Sequence, residues 1–338
     1  MSPRIRGGAG LAALAVFAFA LTGSAAAATS TASSAARGVT ATAETGSSTA
    51  VAQYWTAERM RSAVPVEPER GRPSIDSRIA VPERGAPGHV NAAAPSALQQ
   101  TALRISSRLG ATAQDWAAWY RPPGSTSGKV FFTGDDGVNR VCSGSTVNSG
   151  GKNVVFTAGH CVHGGGAGRR YFTNWAFVPG YRDGARPYGT WSARQLWSLN
   201  GWTNSGNRTY DIGAAVMNID AAGRRIVNVV GGQGIEWNYP LSQFMYQFGY
   251  PSRTPFNGER LQLCTGTTYS DGGHQGIQCN MTEGASGGPW LDDFDGTFGR
   301  LDSVNSWVFW DSNGNRYKWN GPYFGDGARN LYNSVGNL

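Results

Sequence analysis

The chain has 338 residues, of which 40% are hydrophobic, only 15% are charged and 48 are glycines. This length allows one large domain or two ordinary ones with a sizeable core. Strong helix formers such as Lys and Glu are scarce, so the composition argues against a helical bundle and favours a β-rich protein with many turns.

The formal net charge of +7 lies mostly in the N-terminal third of the chain. Before Lys129 there are 12 Arg against 7 Asp and Glu, whereas from Lys129 onward 17 basic residues face 15 acidic ones. The larger part of the chain is therefore close to neutral, and no nucleic-acid partner is predicted.

Residues 1–28 have the pattern of a signal peptide. Arg4 and Arg6 provide a basic start, the apolar run 11–21 is too short to span a bilayer, and small residues follow at 24–28. A short membrane anchor is the alternative interpretation. No later run is long and apolar enough to span a membrane. The pattern therefore predicts a secreted protein in an oxidising space, without stable membrane association.

Residues 29–128 are rich in Ala, Ser, Thr, Pro and Arg and poor in aromatic residues, which predicts a propeptide or low-complexity linker. The polar tract 30–50 is expected to be disordered, because it cannot bury much surface. The run of loop-forming residues at 121–129 marks the end of this segment.

A short amphipathic helix is predicted inside this segment. Thr56 can serve as its N-cap, since a threonine oxygen can accept a hydrogen bond from a free amide of the first turn. Tyr54, Met60 and Val64 would then lie on one side of the helix.

Short apolar or alternating runs recur from Lys129 onward, between clusters of Gly, Asn, Asp and Pro. About a dozen strands at this spacing predict an all-β sandwich or barrel. The last stretch differs, because Leu331, Val335 and Leu338 recur near helical spacing and predict a C-terminal helix.

The chain contains four cysteines: Cys142, Cys161, Cys264 and Cys279. An even count in an exported chain predicts two disulfides, for which three connectivities are possible. Each cysteine has one near neighbour in the sequence, so Cys142–Cys161 and Cys264–Cys279 are the favoured pairs. Zinc binding is the rival interpretation. No C-x-x-C motif exists and few histidines lie near the cysteines, so no metal site is predicted.

Three stretches supply a histidine, an aspartate and a serine. TAGHC places His160 at the end of an apolar strand, TYDIGAAVM places Asp211 at the start of another, and EGASGGPW places Ser286 in a glycine-rich turn. In this order they resemble the catalytic motifs of the chymotrypsin-like serine proteases. The similarity is to bacterial secreted members, such as glutamyl endopeptidases and actinomycete trypsin-like peptidases, and spans about residues 129–338.

The chemistry of acyl transfer explains these three residue types. A serine hydroxyl is a poor nucleophile at neutral pH and needs a neighbouring base, which the resemblance assigns to His160 for Ser286. A buried carboxylate, here Asp211, would fix the imidazole tautomer and stabilise the imidazolium.

The resemblance also implies the architecture. It predicts a double-β-barrel protease domain at 129–338, made of two antiparallel six-stranded β-barrels at 129–222 and 223–338. The active site would lie in the cleft between them, with His160 and Asp211 from the first barrel and Ser286 from the second.

The glycines around Ser286 are expected to form an oxyanion hole. A tight turn could aim the amides of Gly284 and Ser286 at one point, since a residue without a Cβ allows the required peptide orientation. The sequence departs from the family at Ala285, where trypsin-like enzymes carry an aspartate that pairs with the new N-terminus on activation. An activation switch through that ion pair is therefore not expected.

Four residues are predicted to shape the primary specificity pocket. By the resemblance Asn280, six residues before the nucleophile, lies at its base, and Glu283 lies at its rim. The segment 303–307 forms one wall, where Asn305 and Ser306 would offer polar contacts. An amide at the base supplies no charge for a basic side chain, and the wall has no histidine for a glutamate. A neutral pocket is therefore predicted.

Other candidate residues are given lesser roles. Asp183 is the rival for the catalytic acid, but it lies in a turn without an apolar strand behind it. His163 is expected in a solvent-exposed loop, and His274 in a loop with a possible place in the substrate cleft. The acidic run 292–296 lacks the length and terminal glutamate of an EF-hand loop, so a polar turn is predicted.

These patterns predict a secreted serine endopeptidase that acts on proteins or peptides as a monomer, with no cofactor. The alternative is a catalytically silent relative that binds peptide or cell-wall glycan. An α/β-hydrolase esterase would require the order Ser–acid–His, which this sequence does not have.

Overall fold

The computed structural model describes residues 1, 38–43, 47–66, 84–96 and 110–338. Nearly all of the predicted signal peptide and parts of the predicted propeptide lie outside the described residues. In the described ranges, no helix is long and apolar enough to cross a membrane.

Strands account for most of the regular structure of the described residues, in which five α-helices connect or flank them. The strands are β1 (Val39–Ala43), β2 (Val64–Pro65), β3 (Gly88–Val90), β4 (Gln114–Asp115), β5 (Ser127–Thr133), β6 (Asn139–Val147), β7 (Val154–Thr157), β8 (Thr173–Pro179), β9 (Trp191–Leu199), β10 (Gly213–Met217), β11 (Gly234–Trp237), β12 (Phe244–Gly249), β13 (Gln262–Thr267), β14 (Tyr269–Asp271), β15 (His274–Gln278), β16 (Pro289–Asp292), β17 (Arg300–Val304), β18 (Trp307–Trp310) and β19 (Arg316–Gly321). The helices are α1 (Ser48–Tyr54), α2 (Ala57–Ser62), α3 (Asn200–Ser205), α4 (Ile226–Val230) and α5 (Asp326–Val335), and short 3-10 turns lie at Gly159–Cys161 and Arg208–Tyr210.

Six of these strands close into a barrel. Antiparallel pairing runs from β8 through β5, β6, β7 and β10 to β9. The pairing of Ala176 with Ser192 then joins β9 back to β8 and closes the barrel. Closure pairs the backbone groups that an open sheet would leave at its edges. Val130, Phe156 and Ala214 are fully buried in the core.

The second half of the domain consists of two sheets. One has the strand order β3-β11-β17-β16-β12-β13-β4, and the other has the order β14-β15-β19-β18. They enclose a second apolar cluster that includes Met245, Ile277, Trp290 and Trp319, all fully buried. The predicted fold class is confirmed, since the protein is mostly β with a closed six-stranded barrel and a C-terminal helix.

The C-terminal helix α5 packs its apolar side onto both halves. Ala328, Leu331 and Val335 are fully buried, and the helix contacts β9 and β11. Leu331 and Val335 match the predicted spacing, whereas Leu338 lies beyond the end of the helix.

The two predicted disulfides are present. Cys142 pairs with Cys161, and Cys264 pairs with Cys279. The first ties β6 to the 3-10 turn that carries His160. The second joins β13 to the residue after β15, and so links the two sheets of the second half.

The N-terminal segment is built into the first barrel. All five residues of β1 pair with β9, and Val39 is fully buried. The expectation of disorder at 30–50 is therefore wrong for its described residues 38–43 and 47–50. The sequence alone does not reveal β1 because pairing with β9 supplies its hydrogen bonds, so few apolar side chains are needed.

The helix predicted at Thr56 is present as α2. The Thr56 hydroxyl accepts a hydrogen bond from the Arg59 amide at 3.2 Å, and Met60 is buried. Tyr54 instead ends the preceding helix, and Val64 lies in β2 with its side chain exposed.

Trp55 joins this segment to the barrel core. Its side chain is fully buried, its Nε1 donates to the Asn174 carbonyl at 2.6 Å, and its ring lies 5.3 Å from that of Phe131. The short strands β3 and β4 pair with β11 and β13 in the second half. Described N-terminal residues thus contact both halves of the domain.

Replacing Trp55 by alanine in the full chain is expected to lower the free energy of unfolding by about 3–5 kcal/mol, because it leaves a cavity in the core. Urea unfolding measures this, with the parent and all variants carrying Ser286→Ala to prevent self-digestion. Tyr120→Ala, at a side chain 54% exposed, is the control and should change the value by less than about 0.5 kcal/mol. A Trp55 variant as stable as the control would show that this segment is not part of the cooperative fold.

Candidate active site

His160 and Asp211 are brought together by the first barrel. His160 lies in the 3-10 turn after β7, and Asp211 lies between the second 3-10 turn and β10, the strand that pairs with β7. The Nδ1 atom of His160 lies 2.7 Å from Oδ2 of Asp211. The His160 backbone amide donates to Oδ1 at 2.7 Å. Both carboxylate oxygens therefore hold the same histidine.

Asp211 is fully buried and ionised by its surroundings. The Ser306 hydroxyl donates a third hydrogen bond, to Oδ2. Burial alone would raise the pKa of Asp211. The charge and hydrogen bonds of His160, with the hydrogen bond from Ser306, outweigh it and hold the pKa below its ordinary value. The carboxylate thus contacts His160 through both Nδ1 and the backbone amide, which leaves Nε2 as the second ring nitrogen.

Ser286 comes from the second half, in the turn before β16. Its carbonyl accepts from the Ser143 amide at 2.6 Å, and Ser143 follows Cys142 of the disulfide beside His160. The next residue, Gly287, packs so tightly on the strand leading to His160 that an added Cβ would lie 2.0 Å from Oγ1 of Thr157. These contacts hold the serine turn against the histidine turn.

Two buried atoms of this arrangement have no hydrogen-bond partner among the described residues. They are Nε2 of His160 and Oγ of Ser286. With Nδ1 bonded to Asp211, Nε2 is the nitrogen left to accept a proton. An unpartnered base and an unpartnered hydroxyl are the groups that general-base activation of a serine requires.

The turn before Ser286 leaves two amides available. Gly284 has φ +97°, and an added Cβ would lie 2.5 Å from Oγ of Ser252 and 2.8 Å from the carbonyl oxygen of Tyr250. Only glycine fits this backbone and this space. Within the described part of the chain, the amides of Gly284 and Ser286 donate no hydrogen bond.

A cavity of about 670 Å³ opens beside His160. Phe132, Phe172 and Trp202 line it, together with charged residues that include Arg169 and Arg208.

Asn280 is held by the N-terminal segment. Its Oδ1 accepts from the Ala113 amide at 2.7 Å, and its own amide donates to the Ala111 carbonyl at 3.1 Å. Its side-chain oxygen is therefore already engaged within the chain.

Glu283 does not lie at an exposed rim, contrary to the prediction. Its side chain is buried and pairs with Arg316, whose Nη2 lies 3.0 Å from Oε2. The pairing neutralises the charge, so repulsion of acidic substrates by Glu283 is not expected.

Asn305 and Ser306 also differ from their predicted role as substrate contacts. Nδ2 of Asn305 donates to the carbonyls of Phe248 and Ala285, and Oδ1 accepts from Trp290 and Gln247. The Ser306 hydroxyl is engaged by Asp211. Both side chains are fully buried and have their polar atoms bonded within the protein.

The structure also shows the surroundings of His163, His274 and Asp183. His163 is buried, with its ring 4.7 Å from that of Tyr171, so the expectation of solvent exposure is wrong for it. His274 begins β15 and is buried, so the loop expectation is wrong for it. Asp183 lies in an exposed turn and pairs with Arg260 at 3.1 Å, as its turn setting suggested.

The packing between His274 and Trp307 was not predicted from the sequence. Their rings meet edge to face at 4.5 Å, and Trp307 follows Ser306 directly. Burial lowers the pKa of His274 to about 4. Two glycines precede His274, a pattern typical of a loop, but the structure pairs His274 with Asp271 of β14.

Stability at acid pH is expected to depend on His274. Below about pH 6.5 the unfolded chain protonates this histidine while the folded chain does not, so stability falls until about pH 4, by about 3 kcal/mol. His274→Phe keeps the ring contact and removes this loss. Urea unfolding at pH 7, 5.5 and 4 measures it, with His89→Phe, at an exposed position, as control. If the free energy of unfolding fell equally in the parent and in His274→Phe between pH 7 and pH 4, the lowered pKa of His274 would be contradicted.

One cluster of possible metal ligands occurs among the described residues, formed by Cys142, His160 and Cys161. The two cysteines form a disulfide, so they offer no thiolate to a metal ion. In the run 292–296, Asp295 caps a turn by accepting from the amides of Thr297 and Phe298 at 2.8 Å, as expected for a polar turn.

Comparisons with known proteins show what the chain is similar to. No family model matches the chain. Over 77 residues the chain is 39% identical to an extracellular metalloprotease of Bacillus subtilis (strain 168), and it spans only 23% of that relative's length.

Solved structures are similar over about two thirds of the chain. Protease Anisep from Arthrobacter nicotinovorans is 41% identical, with a TM-score of 0.59, over 63% of this chain and 96% of its own. The thermostable serine protease AL20 from an extremophilic microorganism is 37% identical, with a TM-score of 0.59, over 63% of this chain and 98% of its own. A Glu endopeptidase crystallised with MPD shares the fold at 19% identity, with a TM-score of 0.53, over 66% and 96%.

The similarity to Anisep and AL20 extends over nearly the whole length of both proteases. The chain also has the closed six-stranded barrel, a partly buried His160 and the fully buried Asp211 and Ser286. The chain therefore belongs to the bacterial serine proteases of the chymotrypsin-like fold, serine-type endopeptidases whose substrates are peptides and proteins.

Proposed function

We propose that the chain is a secreted endopeptidase in which Ser286 is the nucleophile, His160 the general base and acid, and Asp211 the residue that orients the histidine. One observation carries this assignment. The Nδ1 atom of His160 is held by a fully buried carboxylate, while Nε2 of the same ring and Oγ of Ser286 have no hydrogen-bond partner among the described residues.

Acylation follows from these contacts. Oγ of Ser286 attacks the carbonyl carbon of the scissile bond, and its proton passes to Nε2 of His160. Asp211 stabilises the resulting imidazolium through Nδ1–H. The carbonyl oxygen becomes an oxyanion, which the amides of Gly284 and Ser286 are available to bind.

Collapse of the tetrahedral intermediate breaks the peptide bond. His160 returns its proton to the leaving amine, and the acyl group stays on Ser286. A water molecule then attacks the ester carbonyl, and its proton passes to Nε2 of His160. As the ester C–O bond breaks, His160 returns this proton to Oγ of Ser286, and the second product leaves as a carboxylic acid. The protein ends in its starting protonation state, so no cofactor is required.

A neutral primary pocket remains the proposal for specificity. Glu283 is paired with Arg316, the side-chain oxygen of Asn280 is engaged, and Asn305 is occupied internally. None of these residues offers an unpaired charge to a substrate side chain. Kinetics on a P1-varied fluorogenic peptide series test this. A preference of about a hundredfold for Arg/Lys or for Glu, equal to about 2.7 kcal/mol, would contradict it.

Secretion and maturation are part of the same proposal. Two disulfides and the signal-peptide pattern favour an extracellular site of action. The residues that precede the protease domain at 129–338 are proposed to be a propeptide, because Anisep and AL20 align with 63% of this chain. Mass spectrometry of the culture supernatant gives the mature N-terminus.

Labelling with a phosphonofluoridate tests the mechanism. The reagent is expected to react with the folded protein at one site, which peptide mapping should locate at Ser286, and the labelled protein should lose its peptidase activity. Unreactive, inactive protein that still binds peptides would instead support the silent relative. A label on another serine would contradict the assignment of Ser286.

A further inference from the structure

Four consecutive carbonyl groups around the nucleophile each accept a hydrogen bond. The donors are the Ser252 amide to Glu283 at 2.7 Å, the Ser143 hydroxyl to Gly284 at 2.9 Å, Asn305 Nδ2 to Ala285 at 2.7 Å, and the Ser143 amide to Ser286 at 2.6 Å. The amides of Gly284 and Ser286, in contrast, donate to no described residue.

These contacts fix the direction of the free amides. In a trans peptide the C=O and the next N–H point in opposite directions within one plane, so holding the carbonyl orients the amide. The Glu283 carbonyl belongs to the same peptide as the Gly284 amide. The Ala285 carbonyl belongs to the same peptide as the Ser286 amide. The bonds that matter for an oxyanion hole are therefore the one from Ser252 to Glu283 and, on the Ala285 carbonyl, those from Asn305 and from the Gly288 amide at 3.0 Å.

Asn305 donates from its side chain, whereas Ser252 and Gly288 donate from their backbone amides, and the position of the Asn305 side chain is fixed. It is fully buried, and Nδ2 also donates to the Phe248 carbonyl at 2.9 Å. Oδ1 accepts from Trp290 Nε1 at 2.6 Å and from Gln247 Nε2 at 2.5 Å. Because all of these bonds are made, the amide group cannot rotate without breaking several of them.

The residue that Asn305 holds is the one at which the chain departs from trypsin-like enzymes. Ala285 has no charge to pair with a new N-terminus, and its fully buried side chain lies against Gly249, where an added Cβ would come within 2.7 Å of the Ala285 Cβ. The orientation of the Ala285–Ser286 peptide must therefore come from neutral contacts.

We propose that Asn305 is the positioning residue of the oxyanion hole, and that its bond to the Ala285 carbonyl aims the Ser286 amide at the developing oxyanion. This inference rests on the proposed function of Ser286. It implies that the oxyanion hole is formed by internal hydrogen bonds and requires no α-ammonium group from a cleaved N-terminus.

Asn305→Asp is the sharpest variant, because it keeps the shape and the acceptor oxygen and replaces the donor Nδ2 with an oxygen. The matched control is Gln233→Glu. Gln233 is also fully buried, donates to Oγ1 of Thr126 and the Thr297 carbonyl, and accepts from the Gly299 amide, away from the serine turn.

Three measurements separate positioning from structural support: kcat and KM on a peptide substrate, the affinity for a peptide boronic acid, and the affinity for a product peptide. The boronic acid forms a tetrahedral adduct with serine and uses the oxyanion hole, whereas the product peptide does not require it. Asn305→Asp is expected to lower kcat and boronate affinity together by about 10²–10³-fold, with KM and product affinity within about twofold. Gln233→Glu should change none of these once the protein is folded.

Other results overturn the inference. Equal losses of product and boronate affinity would make Asn305 a pocket residue, and a kcat loss matched by Gln233→Glu would make it a structural one. If Asn305→Asp does not fold, Asn305→Ala removes the donor without adding a charge and must show the same selective loss of boronate affinity. An inactive parent that phosphonofluoridate does not label at Ser286 would overturn the proposed function, and this inference with it.

Discussion

Replacing Ser286 by alanine is expected to lower kcat by about 10⁶-fold, since the residual rate would come only from binding and the oxyanion hole. His160→Ala should have a similar effect, because it removes the proposed general base. The double variant should be no worse than either single one, as expected of residues that act in one step. Turnover of a fluorogenic peptide measures all three.

The control for these variants is Ser125→Ala. Ser125 is also buried, but its hydroxyl donates to the Val230 carbonyl in another part of the domain. It should keep near-native kcat, and circular dichroism should confirm that every variant is folded. Near-native turnover by Ser286→Ala would show that another residue is the nucleophile.

Asp211→Asn is expected to lower kcat by about 10⁴-fold without unfolding the protein. The His160 backbone amide donates to Oδ1, so the asparagine must keep its oxygen at that position. Its NH₂ group then faces Nδ1 of His160, which can only accept. The imidazole proton moves to Nε2, and the ring can no longer take the proton of Ser286.

Asp183→Asn provides the matched control, because Asp183 is the alternative acid in the sequence and pairs with Arg260 at the surface. It should leave kcat unchanged. A larger loss in Asp183→Asn than in Asp211→Asn would assign the catalytic acid to Asp183. NMR of the imidazole nitrogens can then report directly which nitrogen of His160 carries the proton in each variant.

Much of the fold was predictable because its signals are local. Short apolar runs between turn residues indicated the strands, the near spacing of the cysteines indicated both disulfides, and Leu331 and Val335 indicated the C-terminal helix. The three motifs around His160, Asp211 and Ser286 are local as well, and the structure brings the first two into direct contact.

The N-terminal strand could not be predicted in this way. Val39 is a single buried residue in a tract of Thr and Ala, and a strand with so small an apolar surface is stable only where another strand already provides hydrogen-bond partners. That partner, β9, lies far along the chain.

The errors at the pocket have a related cause. Position relative to Ser286 suggested that Glu283 and Asn305 face the substrate. Arg316 instead pairs with Glu283, and Trp290 and Gln247 surround Asn305 together with two carbonyls. Spacing along the chain predicts where a backbone runs. It does not predict which buried group will form an ion pair or a hydrogen bond with a polar side chain.

The order in which the chain is synthesised also affects the pairing of β1 with β9. On the side away from β10, β9 contacts β8 only through Trp191 and Ser192, and β1 covers residues 195–199. Because β1 leaves the ribosome first, its strand is already present when that edge of β9 is made. A chain that began after Ala43 would expose five residues of unpaired strand edge during folding, and a second nascent copy could pair with them. The N-terminal position of β1 thus protects the protein from association with its own copies before the barrel has closed.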